Sequence, residues 1–209
     1  MSTRIKFCGC STWADVTLAI DTGADAVGMI FAPSPRGIDS NAAAEIAQRI
    51  GTSIVAVGVF VDPSIEDVER ARWLFPHLVV QLSGNESPEF VRAVGEPVVK
   101  GIHVGEHDGV QELRTLCDRY APAMPLFDTK VDGMYGGTGR TFPWPVAASI
   151  ARSRDIVVAG GLTPENVGDC IRTVRPAWVD VRSGIESGGR KDALKMERFV
   201  AAVREADEA

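Results

Sequence analysis

The sequence has none of the long apolar runs that mark a membrane protein. A membrane-spanning helix needs about 18 or more consecutive apolar residues, and no run in this chain approaches that length. The N-terminal segment Met1-Ser2-Thr3-Arg4 leads straight into a short strand-like run, without the apolar region of a secretory signal. We therefore do not expect this protein to associate with a membrane.

Cysteine and positive charge are also scarce. Four cysteines among 209 residues do not make a disulfide framework, so we expect a cytoplasmic protein with reduced thiols. Lysine and arginine number 22 against 28 aspartates and glutamates, which gives a net charge of −6. Since domains that bind duplex nucleic acid are usually basic, nucleic acid is not an expected partner.

Short β-branched runs alternate along the whole chain with longer segments of helical spacing. The runs are apolar on both faces, as parallel strands covered by helices are. The eight predicted strands are Arg4–Cys8, Ala26–Phe31, Ile54–Val61, Leu78–Leu82, Val98–Val104, Met124–Phe127, Ile156–Ala159 and Trp178–Val181. The eight predicted helices are Trp13–Asp21, Asn41–Ile50, Ser64–Phe75, Glu89–Val94, Val110–Tyr120, Pro145–Arg152, Glu165–Val174 and Asp192–Ala206.

Eight strand–helix units in 209 residues predict an α/β protein, a compact (β/α)₈ TIM barrel of eight parallel strands forming a single domain, residues 1–209. The alternative is an open doubly wound sheet, but the segment after the first strand, Cys8-Gly9-Cys10-Ser11-Thr12-Trp13, lacks a Gly-x-Gly-x-x-Gly fingerprint. Ser40 is a predicted helix cap. Asp62-Pro63 and Thr163-Pro164 each predict a cap followed by proline at the first helical position.

In a barrel, catalytic groups lie where strands end, at the C-terminal face. Cys8 ends the first predicted strand and is a candidate base or nucleophile, or else a small buried apolar residue. Asp128 follows the sixth and is a candidate general acid, or else a cap for the next loop. That loop, Thr129 to Phe142, is rich in glycine and resembles a mobile lid.

The loops after strands seven and eight are the usual phosphate site of such barrels. Gly160-Gly161 and Ser183-Gly184 occupy these loops and predict binding of a phosphorylated small molecule. Arg36, in the stiff segment Pro33-Ser34-Pro35-Arg36, is a candidate to grip a carboxylate, or else a solvated surface arginine.

A metal site is not favoured. Cys8 and Cys10 are two residues apart, and His103 and His107 have a spacing that places ligands together on a helix. The strand-like run before His103 and the intervening Gly105 argue against a helix there.

Several longer strings give the chain a resemblance to a known family. They span nearly the whole sequence, from about Lys6 to Arg204. The strings are Lys6-Phe7-Cys8-Gly9, residues 23–31 with Ser34-Pro35-Arg36, Val80-Gln81-Leu82, Phe127-Asp128-Thr129-Lys130, residues 135–144, residues 159–167 and residues 179–186. Together they resemble the phosphoribosylanthranilate isomerases of tryptophan biosynthesis.

The resemblance implies a (β/α)₈ barrel and an Amadori rearrangement of N-(5′-phosphoribosyl)anthranilate to 1-(o-carboxyphenylamino)-1-deoxyribulose 5-phosphate, without metal or cofactor. It implies that Cys8 is the general base and Asp128 the general acid. Asp180 matches an active-site position that faces the barrel interior. The next residue but one, Arg182, is then expected at the inner rim, to pair with the substrate phosphate or a neighbouring carboxylate, or else to lie outward in solvent.

The sequence departs from the family at Ser83, where histidine is usual, at Pro143, and at Arg182, where serine is usual.

Three other functions are alternatives to that of the family. A bifunctional isomerase that also serves histidine biosynthesis would carry aspartate at position 8. Thiamine phosphate synthase would need acidic residues for Mg²⁺. A phosphosugar-binding barrel without turnover remains open, since a fold does not fix a function. A monomer and a homodimer are both compatible with the sequence.

Overall fold

The structure is a computed structural model that describes residues 2–105, 107–129 and 141–209. Eight parallel strands close into one barrel, with β1 hydrogen-bonded to both β2 and β8. The strands are β1 Arg4–Cys8, β2 Ala26–Ile30, β3 Val55–Phe60, β4 Val79–Leu82, β5 Val98–Val104, β6 Met124–Thr129, β7 Val157–Val158 and β8 Trp178–Val181. The predicted barrel is therefore confirmed.

Eight helices surround the strands, one after each. They are α1 Trp13–Asp21, α2 Ser40–Arg49, α3 Ile65–Leu74, α4 Pro88–Val94, α5 Val110–Arg119, α6 Trp144–Ala151, α7 Val167–Val174 and α8 Ala193–Glu208. Within the described ranges, no helix is long and apolar enough to cross a membrane.

The main apolar core lies between the barrel and its helices. Phe7 of β1 points outward and meets Phe199 of α8 edge to face, with ring centroids 6.1 Å apart. Successive side chains of a strand point to opposite faces. Lys6 and Cys8, the neighbours of Phe7, therefore face the barrel interior, where the functional groups must lie.

Three predicted helix starts are wrong. The cap of α2 is Asp39, whose carboxylate accepts the N–H groups of Asn41 and Ala42. The cap of α3 is Ser64, because Asp62 has φ 47° and so cannot adopt the extended conformation of a cap residue.

Helix α7 begins at Val167 after the cap residue Asn166, later than the predicted Glu165. The Asn166 side chain binds loop backbone instead, which keeps the segment from Thr163 out of the helix: its Oδ1 accepts the Thr163 N–H at 2.8 Å.

A two-stranded hairpin after β8 was not predicted. Its strands are β9 Glu186–Ser187 and β10 Arg190–Lys191, which pair antiparallel. Gly188 and Gly189 form the turn with φ values of 56° and 77°. Two glycines between two-residue arms are a recognised hairpin signal, and this hairpin carries charged side chains toward the site.

Candidate active site

A cavity of about 690 Å³ opens at the C-terminal ends of the strands. It collects side chains and backbone from loops that are far apart in sequence. All candidate residues except Gly184 line it: Cys8, Arg36, Asp128, Gly160, Gly161, Asp180, Arg182 and Ser183. The barrel thus brings the proposed acid, base, arginines and phosphate loops to one space.

Cys8 projects into this cavity from the end of β1. It is paired in register with Gly28 of β2, and its side chain packs beside Ile30 and Val59. Burial raises the pKa of the Cys8 thiol, while the positive charge of Lys6 acts in the opposite direction. Burial and the neighbouring cation therefore act on the Cys8 thiol in opposite directions.

Asp128 is the penultimate residue of β6, next in register to His103 of β5. Its Oδ1 accepts the backbone N–H of Thr129 at 2.8 Å. Burial raises the pKa of Asp128, and the negative charge of Asp180 adds to that shift against the influence of His103. A carboxyl group with a raised pKa holds its proton to higher pH, as a general acid requires.

The seventh loop approaches Asp128 closely. Gly160 has φ 82°, and a Cβ atom there would lie 2.5 Å from Asp128 Oδ1. Asn166 fastens this loop by donating its Nδ2–H to the Gly161 carbonyl at 2.9 Å. Glycine at position 160 is thus what allows the loop and the carboxyl group to meet.

The eighth loop packs directly on the seventh. Ser183–Ile185 forms one turn of 3₁₀ helix. A Cβ atom at Gly184 would lie only 2.0 Å from the Leu162 carbonyl oxygen, so only glycine fits. Gly184 does not line the cavity, and its part is to hold the two candidate phosphate loops together.

Arg36 reaches across from the second loop to the hairpin after β8. Its Nη2 lies 2.6 Å from Glu186 Oε2, and its Nε donates to both carboxylate oxygens, at 3.0 and 3.1 Å. Lys191 also binds Glu186, at 3.1 Å, and donates to the Cys8 carbonyl at 2.6 Å. Arg36 is thus held within a charged network, not left as a solvated surface side chain.

Arg182 lies at the rim of the cavity, half-buried. Its Cγ and Cδ pass over Gly9, each 3.4 Å from where a Cβ atom would stand there. Its charge partly opposes the rise that burial causes in the pKa values of Cys8 and Asp128. The side chain is therefore directed to the site and not outward into solvent.

Sequence reasoning missed Lys6 and His103 as members of the site and considered Glu186 only as a neighbouring carboxylate for Arg182. Lys6 and Asp180 form a buried ion pair at 2.9 Å inside the barrel. The signal for Lys6 was available, since it stands two residues before Cys8 and so shares its face. His103 was weighed only as a metal ligand, yet it lines the cavity on an inward position of β5. The role of Glu186 depended on the unpredicted hairpin.

Cys10 does not join Cys8 in the cavity. It packs in the core between barrel and helices, its thiol donates to the Phe7 carbonyl at 3.6 Å, and burial raises its pKa to about 12. In the described part of the chain no group of His, Cys, Asp and Glu is placed to hold a metal ion. The expectation that no metal or cofactor is needed stays a prediction. Most of the predicted lid, residues 130–140, lies outside the described residues.

Comparison with known proteins identifies similar chains. The family model described as N-(5′phosphoribosyl)anthranilate (PRA) isomerase matches residues 5–202. A relative from Syntrophomonas wolfei, named N-(5′-phosphoribosyl)anthranilate isomerase, is 40% identical over 205 residues, covering 97% of this chain and 98% of the relative.

Solved structures of the same name share the fold. Phosphoribosyl anthranilate isomerase from Thermotoga maritima superimposes with a TM-score of 0.86 at 34% identity, covering 97% of this chain and 99% of that one. A structure of monomers generated from the dimeric enzyme of Thermotoga maritima has a TM-score of 0.82 at 32% identity and the same coverage. A phosphoribosyl anthranilate isomerase in complex with reduced 1-(o-carboxyphenylamino)-1-deoxyribulose 5-phosphate has a TM-score of 0.83 at 31% identity, again covering 97% and 99%.

Proposed function

The chain belongs to the N-(5′-phosphoribosyl)anthranilate isomerase family, and on that premise we propose that Cys8 and Asp128 are the base and the acid of its rearrangement. The protein is an isomerase of tryptophan biosynthesis, which converts N-(5′-phosphoribosyl)anthranilate to 1-(o-carboxyphenylamino)-1-deoxyribulose 5-phosphate. The observation that carries the proposal is that both side chains enter the same cavity, from different strands.

The reaction begins with proton donation by Asp128 to the ribose ring oxygen. The C1′–O bond breaks, and the nitrogen lone pair forms a protonated imine. Cys8 then removes the proton from C2′, and the electrons of that C–H bond produce the neutral enolamine, which tautomerises to the ketone product. The raised pKa of Asp128 supports its role because the carboxyl group must carry a proton at the start.

The other candidate residues are proposed to bind the substrate. Backbone N–H groups of Gly160, Gly161 and Ser183 receive the phosphate, with the guanidinium of Arg182 beside them, and Gly184 contributes by packing the two loops together. Arg36 grips the carboxylate of the anthranilate ring. Asp180 lines the same cavity and is proposed to contact the sugar.

Localisation, domain structure and assembly are part of the proposal. We place the enzyme in the cytoplasm, consistent with its four free thiols. Residues 1–209 form a single domain, which the closed strand order supports. The enzyme acts as a monomer or a homodimer, and the dimeric Thermotoga maritima relative makes the second state a natural one to test.

The test of turnover is loss of the substrate's fluorescence on mixing with the purified protein. We expect continuous loss at catalytic protein concentrations. A phosphosugar-binding barrel without turnover would bind the substrate stoichiometrically and leave it unconverted. The related aminoimidazole substrate of histidine biosynthesis should stay unconverted, and its isomerisation would favour the bifunctional alternative.

A further inference from the structure

The interior of the barrel holds a buried ion pair directly below the catalytic thiol. Lys6 of β1 and Asp180 of β8 are neighbours in register, and their side chains are only 6% and 8% exposed. Lys6 Nζ lies 2.9 Å from Asp180 Oδ1. Burying two charges is costly unless each finds a partner. A pair in this place therefore calls for a reason beyond stability.

Gly28 of β2 leaves the space in which Lys6 approaches Cys8. A Cβ atom at Gly28 would lie 2.9 Å from Lys6 Nζ and 3.1 Å from Cys8 Sγ. The ammonium and the sulfur thus both lie close to the point that the side chain of any larger residue would fill. The absence of a side chain at position 28 lets the cation and the thiol share this corner of the barrel.

Besides burial, the charged groups around Cys8 influence its pKa. Lys6, Lys191 and Arg182 favour the thiolate, and Asp180 disfavours it. Lys6 has the largest influence among the cations. Arg182 stands at the rim, whereas Lys6 is buried in the interior, where water screens a charge least.

We propose that Lys6 is a positioning residue whose buried ammonium stabilises the thiolate of Cys8 and so prepares it to act as a base. Asp180 fixes the position of the ammonium and, through its own charge, limits how far the thiolate is favoured. The inference rests on the proposed role of Cys8 as the base.

Lys6 keeps its positive charge throughout the proton transfer. The C2′–H bond breaks, and its proton forms the S–H bond of Cys8. The electron pair passes to the protonated imine, which becomes the neutral enolamine. The thiolate and the imine cation lose their charges together, so Lys6 favours the state before proton transfer, in which the base is ready.

The test is the rate at which neutral iodoacetamide alkylates Cys8 at pH 8, followed by mass spectrometry with fragmentation to separate Cys8 from Cys10. Only the thiolate reacts, and its fraction changes about tenfold for each unit of pKa, an effect partly offset because a more basic thiolate is more nucleophilic. We expect Lys6→Met to slow alkylation of Cys8 about threefold or more. Lys6→Arg, which keeps the charge, should recover part of the rate.

Asp180→Asn should change the alkylation rate of Cys8 in the opposite direction. This second test does not depend on how well Lys6→Met folds. Removing the carboxylate leaves the ammonium to act on the sulfur alone, so alkylation should become faster than in the wild type. If the ion pair were merely structural, removing either partner would loosen the site. Cys8 would then be alkylated faster in both variants. Equal or faster alkylation in Lys6→Met, or unchanged or slower alkylation in Asp180→Asn, would overturn the inference.

Lys100→Met is the matched control. Lys100 is also a buried lysine in an ion pair, 2.9 Å from Glu86, but it faces Tyr120 on the helix side of β5. Its substitution should leave the alkylation rate of Cys8 unchanged. The role of Cys8 is tested separately: if Cys8→Ala keeps its turnover, the proposed base is wrong, whereas the alkylation rates judge Lys6 alone.

Discussion

Glu186 holds the guanidinium of Arg36 through two nitrogens, with its shortest contact at 2.6 Å. The carboxylate is buried, and Lys191 forms a second ion pair with it at 3.1 Å. The contact lowers the pKa of Glu186 and raises that of Arg36, so both groups stay charged. Arg36 is therefore fixed at the mouth of the cavity before any substrate enters.

Arg36→Met should raise KM more than it lowers kcat. The arginine is proposed to grip the substrate carboxylate equally in the ground state and the transition state, and such binding changes KM alone. Steady-state kinetics with N-(5′-phosphoribosyl)anthranilate measure both constants. Arg72→Met is the control, because Arg72 is also a partly buried arginine but binds the carbonyls of Val94 and Gly95 away from the cavity. An unchanged KM for Arg36→Met would remove Arg36 from the binding site.

Arg182→Ser should raise KM and flatten its dependence on ionic strength. The guanidinium at the rim is proposed to pair with the phosphate dianion, and salt screens such a pair with a Debye length of about 10 Å at 0.1 M. Kinetics at low and high salt compare the two slopes. Arg172→Ser, on the exposed face of α7 where it pairs with Asp169, provides the control. Identical KM values and slopes for wild type and Arg182→Ser would exclude Arg182 from phosphate binding.

The pH profile of kcat/KM should have two limbs. Asp128 must be protonated and Cys8 ionised, and both pKa values are raised, from 3.8 and 9.0 respectively. Between the two pKa values each group is mostly in the other form, and the small fraction of enzyme with both correct forms is constant. The rate therefore falls only below the pKa of Asp128, which is above 3.8, and above the pKa of Cys8, which is above 9.0. Cys8→Asp supplies a base with a much lower pKa, so its alkaline limb should move to lower pH. Because the substrate's own ionisations are the same for both proteins, an unmoved limb would show that Cys8 does not titrate in the reaction.

Gly184→Ala should destabilise the two loops that receive the phosphate. The added methyl group would press on the Leu162 carbonyl, and overpacking of this kind costs about 1–3 kcal/mol. We expect a Tm lowered by about 2–12 °C and weaker inhibition by inorganic phosphate. Gly109→Ala has open space around it and serves as the control. A Gly184→Ala protein with unchanged Tm and phosphate affinity would contradict the close packing of the two loops.

The barrel was predictable because its signal is repeated eight times along the chain. Each strand is apolar on both faces and each is followed by a helix-like segment, so an error at one boundary leaves the count unchanged. Boundaries were less certain where side chains compete with the helix pattern. At Asn166, for example, the amide binds loop backbone and delays the start of α7.

Only the site residues that stand at the ends of predicted strands could be identified from the sequence. Cys8 and Asp128 stand at such ends, and both line the cavity. The contacts between Arg36 and Glu186 and between Lys6 and Asp180 were not predictable from the chain. Their partners are 150 and 174 residues apart, and only closure of the barrel brings them together.

The most direct measurement is kcat of Cys8→Ala and Asp128→Asn, each with a thermal unfolding curve to verify the fold. Neither alanine nor an amide transfers the required proton, and loss of a positioned acid or base costs about 10²–10⁴ in rate. The account predicts that both variants fold and that each loses turnover by that factor. Near-wild-type kcat in a folded Cys8→Ala or Asp128→Asn protein would contradict it.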